Sequence, residues 1–347
     1  MKINLYLENG YLNMPWLLGF GMAFNVIVGG RGVGKTYGAL KFCYESNFKF
    51  MYSRRLEKQI DLCATQEFNP WKKLNSDYQL NVGAVKVKTV RGLYAFYNFD
   101  EDGKPSGVQL GLAAALNTFS SLRGIDGSDL KLWFIDEFIK EPNEKTIKGE
   151  GTLFKHAYET LNRNREFQGE KPLQAILCAN SNSLDNDILY SFGIVSKIEQ
   201  MKRKGQTLSI NKERSLLICV IPEDNPISMK KRETVLYKQN DTDGFADVSL
   251  NNRFAEINDD NIKSMPIKEF KPVVQIGEIF IYRHKSMSSY YCTSFRNGAF
   301  NNVFKMEKHD IDRFLRKYQF IINAYMQNRL IFETSTDEVM FNYYIDY

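Results

Sequence analysis

The sequence has little of what a metal-binding or secreted protein carries. Its five cysteines are scattered and odd in number, and neither a CxxC motif nor a Cys/His pairing is present. This pattern predicts buried, reduced thiols, and it argues against both a disulfide framework and a structural metal site. We therefore expect a protein of the reducing cytosol.

Long apolar runs are missing as well. No stretch reaches the roughly 18 residues that a membrane helix needs, and the opening MKINLYLENG lacks the pattern of a signal peptide. The sequence also has no low-complexity tract and no internal repeat. We expect a soluble, intracellular protein with no membrane partner.

The residues that are present suffice for a sizeable core. Of the 347 residues 43% are apolar, and the 25 Phe and 19 Tyr argue against long disorder. The net charge of +5 permits an anionic partner without requiring one. The length predicts two domains.

Apolar runs alternate with helical or loop segments from residue 24 to about residue 221. Continuous apolar strands of this kind are typical of a mostly parallel sheet covered on both faces, which predicts a three-layer α/β domain. Helices are expected over 35–44 and 151–166. The predicted strands are FNVIV (24–28), KFMYS (49–53), LYAFYNF (93–99), GVQLGL (107–112), LWFID (132–136), LQAILCAN (173–180) and SLLICVI (215–221).

The pattern changes after residue 228. A charged, apolar-poor stretch follows, and beyond it lie strand-like segments at 270–284 and 290–295, a helical segment at 310–327 and a short tail. These features predict a small α+β domain. The expected organisation is an ATP-binding domain over 1–228, a linker over 229–261 and a second domain over 262–347.

The most informative stretch is GGRGVGKT, which lies between a predicted strand and a predicted helix and fits the P-loop pattern in full. Glycines let the backbone curl so that its N–H groups point at phosphate oxygens. The lysine reaches the β- and γ-phosphates of ATP, and the threonine offers its hydroxyl to Mg²⁺. A glycine-rich turn with a chance lysine is the alternative. The predicted nucleotide-binding residues are Gly29, Gly30, Arg31, Gly32, Val33, Gly34, Lys35 and Thr36.

A second carboxylate motif supports the P-loop. The apolar strand LKLWFID ends in Asp136, and Glu137 follows. An aspartate at a strand end in such a domain holds Mg²⁺, and the next glutamate can polarise the attacking water as a catalytic base. A pair of solvated acids that end a strand is the alternative. Because Glu137 supplies a base, the pair favours hydrolysis over phosphoryl transfer by a nucleotide kinase.

Two further polar positions are candidates for catalysis. Asn180 ends the next strand and could sense the γ-phosphate, although a turn-forming asparagine is an equal alternative. Arg163 and Arg165 lie in NRNRE, between Glu137 and that strand. Either could be an arginine finger for the ATP of a neighbouring subunit, or a solvated helical arginine.

GGRGVGKT, MYSRR, FIDEF, NRNRE, ILCANS and DVSLNNRF together, in this order, resemble the DNA-packaging ATPase of phi-29-like bacteriophages. The resemblance covers about residues 24–330. It implies an additional-strand P-loop ATPase that uses ATP and Mg²⁺, with Thr36 and Asp136 at the metal, Glu137 as base and Arg163 as the trans-acting finger. It also implies an arginine pair, Arg54 and Arg55, that acts between subunits, although Glu57 stands where the family has a basic residue.

The same resemblance implies partners and a location. The chain would form a ring, a pentamer, at the portal (connector) vertex of a prohead and pump double-stranded DNA inside, with a packaging RNA linking ring and portal. It would work in the host cytoplasm and be absent from the mature virion. Its second domain would be a degenerate RNase H-like nuclease, in agreement with the single acid, Glu278, in the strand-like segment 270–284.

Contacts to DNA are the least specified by the sequence. A motor that accepts any sequence contacts phosphates rather than base edges. Arg123, just before the strand that ends in Asp136, is the candidate for the pore, and the basic clusters 201–205 and 229–232 are further candidates. A solvated surface is the alternative at each position.

Two other functions compete with the motor. One is another cytosolic P-loop ATPase that acts on DNA, such as a helicase or a partition ATPase, although the second domain is too small for a usual helicase lobe. The other is a nucleotide-binding scaffold without turnover, against which Glu137 argues. An ATPase assay of Glu137→Gln separates the enzyme from the scaffold.

Overall fold

A computed structural model describes residues 4–65, 67–122, 124–141, 144–180, 184–235 and 261–345. Within these parts the chain forms two compact units. The first unit takes its residues from the ranges 1–182, 186–188 and 201–254, and the second from 183–185, 189–200 and 255–347. Residues 189–200 thus cluster with the C-terminal unit, although their place in the sequence is within the predicted first domain.

The first unit is built on a nine-stranded, mostly parallel sheet, as predicted. Its strand order is β3-β4-β5-β2-β6-β7-β1-β9-β8. Six successive strands of this order pair in parallel with one another: β5, β2, β6, β7, β1 and β9. Strands β3 and β4 add antiparallel pairs at one edge of the sheet, and β8 adds one at the other. The strands are β1 Phe24–Val28, β2 Lys49–Ser53, β3 Val82–Lys86, β4 Leu93–Phe99, β5 Pro105–Ala114, β6 Leu130–Asp136, β7 Gln174–Ala179, β8 Leu208–Asn211 and β9 Leu216–Val220.

Helices accompany this sheet because its strands expose apolar side chains on both faces. Trp133 of β6 illustrates the packing, since its ring stacks on that of Phe154 with centroids 5.2 Å apart. The helices up to residue 232 are α1 Met14–Leu18, α2 Lys35–Glu45, α3 Glu57–Cys63, α4 Lys72–Tyr78, α5 Glu150–Asn162, α6 Asp187–Phe192, α7 Val195–Arg203 and α8 Pro226–Arg232, with 3₁₀ turns at Leu116–Leu122 and Glu166–Gln168.

Strand β7 lies between β6 and β1, with Phe134 beside Ile176 and Val26 beside Leu177. The strand that bears the P-loop and the strand that ends in Asp136 are therefore separated by one inserted strand. This is the additional-strand arrangement that the family resemblance implies.

The second unit contains a five-stranded sheet of order β13-β10-β11-β12-β14, in which β10, β11 and β12 are antiparallel neighbours. The edge strands β13 and β14 run parallel to β10 and β12. The elements are the 3₁₀ turn Ile267–Glu269, β10 Phe270–Ile276, β11 Ile279–His284, β12 Tyr290–Thr293, β13 Val303–Phe304, α9 Lys308–Lys317, α10 Gln319–Met326, β14 Leu330–Phe332 and α11 Ser335–Ile345.

Three local predictions for element boundaries are wrong. The segment 270–284 is a hairpin, because Gly277 turns the chain at φ 51°, and Glu278 lies in that turn rather than on a strand. The helix over 310–327 is broken at Tyr318, whose φ and ψ are −115° and 28°. The helix over 151–166 ends at Asn162. The short tail, for which no element was predicted, forms β14 and α11.

The cysteine prediction is confirmed, since all five thiols are free and buried. None of the helices in the described parts of the chain combines the length and the apolar character that crossing a bilayer requires.

Candidate functional site

The predicted P-loop connects the end of β1 to the start of α2. Gly34 precedes the helix at φ 88°, a conformation that L side chains rarely adopt, and a Cβ there would lie 2.9 Å from the ring of Tyr11. The loop therefore requires glycine at this position both for its turn and for its contact with the N-terminal segment. The first helical residues, Lys35 and Thr36, follow at once and face the candidate site.

Lys35 is buried at the centre of the loop. Its Nζ donates to the backbone carbonyls of Gly29 at 2.8 Å and Gly30 at 2.7 Å, and to Oδ1 of Asn180 at 3.3 Å. Burial lowers the pKa of Lys35 to about 8, against the nearby carboxylates of Asp136 and Glu137 that favour its charge. A cation held in this way is ready to exchange carbonyl partners for phosphate oxygens.

The hydroxyl of Thr36 meets the carboxylate of Asp136. Its Oγ1 donates to Oδ1 of Asp136 at 2.9 Å, and Tyr52 donates its hydroxyl to Oδ2 of the same carboxylate at 3.3 Å. Asp136 is only 2% exposed. The pair supplies two hard oxygen donors side by side, which is the chemistry that Mg²⁺ prefers.

Arg54 follows β2 and joins the two acidic residues. Its guanidinium lies 3.0 Å from Oδ2 of Asp136 and 3.0 Å from Oε2 of Glu137, and its Nε donates to the hydroxyl of Tyr52 at 3.0 Å. Tyr52 and Arg54 were not predicted to contact these acids. The contacts arise because β2 pairs with β6, so that the carboxyl ends of both strands meet at one edge.

Glu137 is held in an unusual backbone conformation. Its φ is 53°, which is uncommon for a residue other than glycine, and its carboxylate faces the cleft. Burial raises the pKa of Glu137, and the charge of Arg54 opposes this shift. A raised pKa improves a carboxylate as a proton acceptor, which suits the predicted role of base.

One open cleft of about 690 Å³ is lined by Lys35, Thr36, Asp136, Glu137 and Asn180. Arg31 reaches across it from the P-loop and pairs with Glu141 at 2.6 Å. The structure thus brings together the predicted phosphate ligand Lys35, the predicted metal ligands Thr36 and Asp136 and the predicted base Glu137. The residues that line the cleft are Asn9, Tyr11, Arg31, Gly32, Gly34, Lys35, Thr36, Tyr37, Lys73, Asp77, Asp136, Glu137, Glu141, Ala179 and Asn180.

The two candidate finger arginines differ in exposure. Arg163 directly follows the last residue of α5, with φ 49° and ψ −135°. Its side chain is exposed and donates to the carbonyl of Ile125. Arg165 is 4% exposed and donates to the carbonyls of Gly127 at 2.6 Å and Ser128 at 3.1 Å. Neither lines the cleft of its own chain.

Arg55 behaves differently from Arg54. Its side chain is fully buried, with Nε 2.8 Å from Oε1 of Glu150 and NH1 2.8 Å from Oε2 of Glu144. It therefore anchors the start of α5 within its own chain, and this burial argues against the predicted action on a neighbouring subunit.

Other predictions lie outside this site or outside the described residues. Arg123, the predicted DNA contact, and the segment DVSLNNRF belong to positions that the structure does not describe. Within the parts of the chain that it does describe, no group of three or more His, Cys, Asp or Glu side chains has the geometry of a metal site.

Comparisons with known proteins identify the family of this chain. A family model described as podovirus DNA encapsidation protein (Gp16) matches residues 8–334. The DNA packaging proteins of Bacillus phage PZA and Bacillus phage phi29 are each 25% identical to the chain over 250 residues. The match covers 70% of this chain and 66% of either relative, which is just under two thirds of their length.

Solved structures share the fold. A chain of the bacteriophage Phi-29 viral genome packaging motor assembly is similar with a TM-score of 0.59 and 18% identity, over 96% of this chain and 98% of that one. The Phi-28 gp11 DNA packaging motor gives a TM-score of 0.55 at 18% identity, over 98% and 99%. At this identity the likeness concerns the fold alone.

Proposed function

Since this chain belongs to the podovirus DNA encapsidation protein family, we propose that it is an ATPase that drives double-stranded viral DNA into a prohead through the portal vertex. The relatives in Bacillus phages are DNA packaging proteins, and the chains of similar fold come from packaging motors. Another P-loop ATPase that acts on DNA, such as a helicase, is the second candidate.

The observation that carries the proposal is the meeting of Lys35, Thr36, Asp136, Glu137 and Asn180 in one cleft. Lys35 neutralises phosphate charge from a buried position. Asn180 accepts a hydrogen bond from the same ammonium at 3.3 Å, which supports its proposed role as a sensor of the terminal phosphate. Glu137 accepts a proton from the attacking water, and Arg54 holds that carboxylate in place at 3.0 Å.

Mg²⁺ fits the donor set of this cleft. The hydroxyl of Thr36 and the carboxylate of Asp136 are 2.9 Å apart and would hold the ion from one side. When bound, Mg²⁺ neutralises the charge that develops on the phosphates. Arg54 also pairs with Asp136, at 3.0 Å, so it orients this carboxylate in the described structure.

The proposal includes completion of the site by a neighbouring subunit, with Arg163 as the finger. Arg163 is exposed, and its positive φ is the kind of strained conformation that clusters at functional positions. Arg165 is 4% exposed and donates to two carbonyls of its own chain, whereas Arg163 is exposed and donates to one, which favours Arg163. A finger of this kind accelerates phosphoryl transfer roughly 10³–10⁵-fold.

The proposed partners are those of a packaging motor. The chain forms a ring, a pentamer, contacts DNA phosphates and docks on the portal with the help of a packaging RNA. It acts in the host cytoplasm and leaves before the virion matures. In the proposed pore, Arg123 contacts DNA.

Glu137→Gln tests the function. The variant should bind ATP as the parent does, while hydrolysis falls on the order of 10²–10⁴-fold because the base is lost, and packaging of DNA into purified proheads should stop. Glu213→Gln, in the exposed turn between β8 and β9, is the matched control and should leave both activities unchanged. Parental turnover by Glu137→Gln would contradict the role of base. ATPase activity that DNA alone stimulates, with no effect of proheads, would favour the helicase.

A further inference from the structure

Lys231, a residue far from the P-loop in the sequence, contacts this loop without lining the cleft. Lys231, in the last turn of α8, donates from Nζ to the carbonyl of Arg31 at 2.8 Å. A Cβ at Gly32 would lie 2.3 Å from the same Nζ, so the lysine packs directly against that glycine. The sequence gives Lys231 no role other than its place in the basic cluster 229–232, a candidate DNA contact.

The helix that carries Lys231 is firmly anchored. The side chain of Asn225 accepts hydrogen bonds from the N–H groups of Ile227 at 3.1 Å and Ser228 at 2.9 Å, and all three residues are buried. A capped and buried first turn fixes the direction of the short helix. Lys231 therefore reaches the P-loop from a defined position.

The geometry of one peptide group links this contact to the cleft. The carbonyl of Arg31 and the N–H of Gly32 belong to the same planar, trans peptide, in which the two groups point in opposite directions. Lys231 binds the carbonyl and does not itself line the cleft, whereas Gly32 does. An ammonium that holds the carbonyl away from the cleft thus keeps the N–H directed toward it.

We propose that Lys231 is a positioning residue for the phosphates of ATP, which acts through the peptide between Arg31 and Gly32. The inference rests on the proposed function, since it assumes that the cleft binds a nucleoside polyphosphate. Lys231 orients the Gly32 N–H toward the phosphate chain, and its charge polarises the same peptide, which strengthens that N–H as a donor.

The surrounding charges agree with an anion at this place. Arg31, Lys35 and Lys231 are three cations around one loop. Burial lowers the pKa of both lysines, and repulsion adds to it: the charge of Lys231 lowers the pKa of Lys35, and the charge of Arg31 lowers that of Lys231. A polyphosphate would relieve this repulsion. The neighbouring Lys230 is a contrast, because its Nζ donates to the carbonyl of Asn9 at 3.2 Å and not to the P-loop.

The basic cluster at 229–232 therefore has a different use from the one that its composition suggests. Two of its lysines contact backbone carbonyls of the ATP-binding unit. For Lys231 the structure favours a role in nucleotide binding over a contact with a nucleic acid.

The test is Lys231→Met, with Lys231→Arg as the conservative variant and Lys212→Met, in the exposed turn between β8 and β9, as the matched control. We expect Lys231→Met to weaken the binding of ATP and ADP roughly tenfold, as the loss of one charge-assisted hydrogen bond implies. AMP binding and the melting temperature without nucleotide should stay near the parental values. Lys231→Arg should recover most of the affinity, and Lys212→Met should bind all three nucleotides normally.

The outcomes separate the inference from the function on which it rests. A parent that binds no ATP would overturn both. A parent that binds ATP together with a Lys231→Met variant of equal affinity would overturn the inference alone. Equal losses for ATP and AMP, or a lowered melting temperature, would show a merely structural role and overturn it too. Lys231→Gln replaces the methionine variant if the latter does not fold.

Discussion

Arg54 offers the sharpest test of how the site is held together. In the described structure its guanidinium is the cationic partner of Asp136, which is 2% exposed, and it also reaches Glu137. Arg54→Met keeps the length of the aliphatic side chain and removes the charge. The carboxylate of Asp136 would then be buried with the hydroxyls of Thr36 and Tyr52 as its donors.

The size of the effect follows from this geometry. Removing one partner of a buried ion pair costs about 3–5 kcal/mol. Because two hydroxyls remain on Asp136, we expect the lower end, about 3 kcal/mol. For a unit of this size each kcal/mol lowers the melting temperature by about 2–4 °C, so the loss should be about 6–12 °C.

Thermal unfolding with and without Mg-ATP measures this loss of melting temperature. In the nucleotide-free protein the variant should melt well below the parent. Mg²⁺ supplies positive charge at Asp136, so Mg-ATP should raise the melting temperature of the variant more than that of the parent and close over half of the gap. ATP with EDTA in place of Mg²⁺ should close little of it.

Arg55→Met is the matched control. Arg55 is the adjacent residue and is more deeply buried than Arg54, and its ion-pair partners Glu144 and Glu150 do not line the cleft. This variant should also be destabilised, and Mg-ATP should raise its melting temperature only as much as that of the parent. If both variants respond alike to Mg-ATP, or if Arg54→Met is as stable as the parent, the ion pair does not hold Asp136 as described.

Two further predictions concern the cations of the site. Burial lowers the pKa of Lys35 to about 8, and a bound phosphate should raise it, so the affinity for ATP should be highest below pH 8 and fall as the pH rises through 8. Calorimetry at pH 8.5 should show proton uptake on binding. An affinity that stays constant from pH 7 to 9 would contradict this charge state. Arg163→Ala should bind ATP normally but lose the acceleration that proheads cause, and mixing it with Glu137→Gln should restore part of the activity. Lys155→Ala, on the exposed side of α5, is its control; normal packaging by Arg163→Ala would refute the finger.

The strands of the sheet were predictable where an apolar run marks them. The bounds of β1, β2 and β4 agree with the sequence patterns 24–28, 49–53 and 93–99. The edge strands β3 and β8 escaped prediction because most of their residues are only half-buried, so neither sequence shows a continuous apolar run. An edge strand with one solvated face does not need a continuous apolar run.

The site divides in the same way. Lys35, Thr36 and Asp136 belong to motifs whose local spacing predicts their chemistry. The contacts of Tyr52, Arg54 and Lys231 depend on which elements become neighbours in space, and strand order in the sheet differs from order in the sequence. No local pattern carries that information, so these contacts required the structure.

The position of β1 has a consequence for the synthesis of the protein. Both of its neighbours come late in the chain, since Phe24 pairs with Ala175 of β7 and with Leu216 of β9. A ribosome that adds 5–20 residues per second needs roughly 10–40 s to make the intervening chain of about 190 residues. For most of this time, until β7 has been made, the strand that leads into the P-loop has no partner on either side, and its apolar FNVIV is open to pairing with other chains. The side that faces β9 stays unpaired until β9 has been made. The nascent protein should therefore depend on chaperones until β9 has emerged.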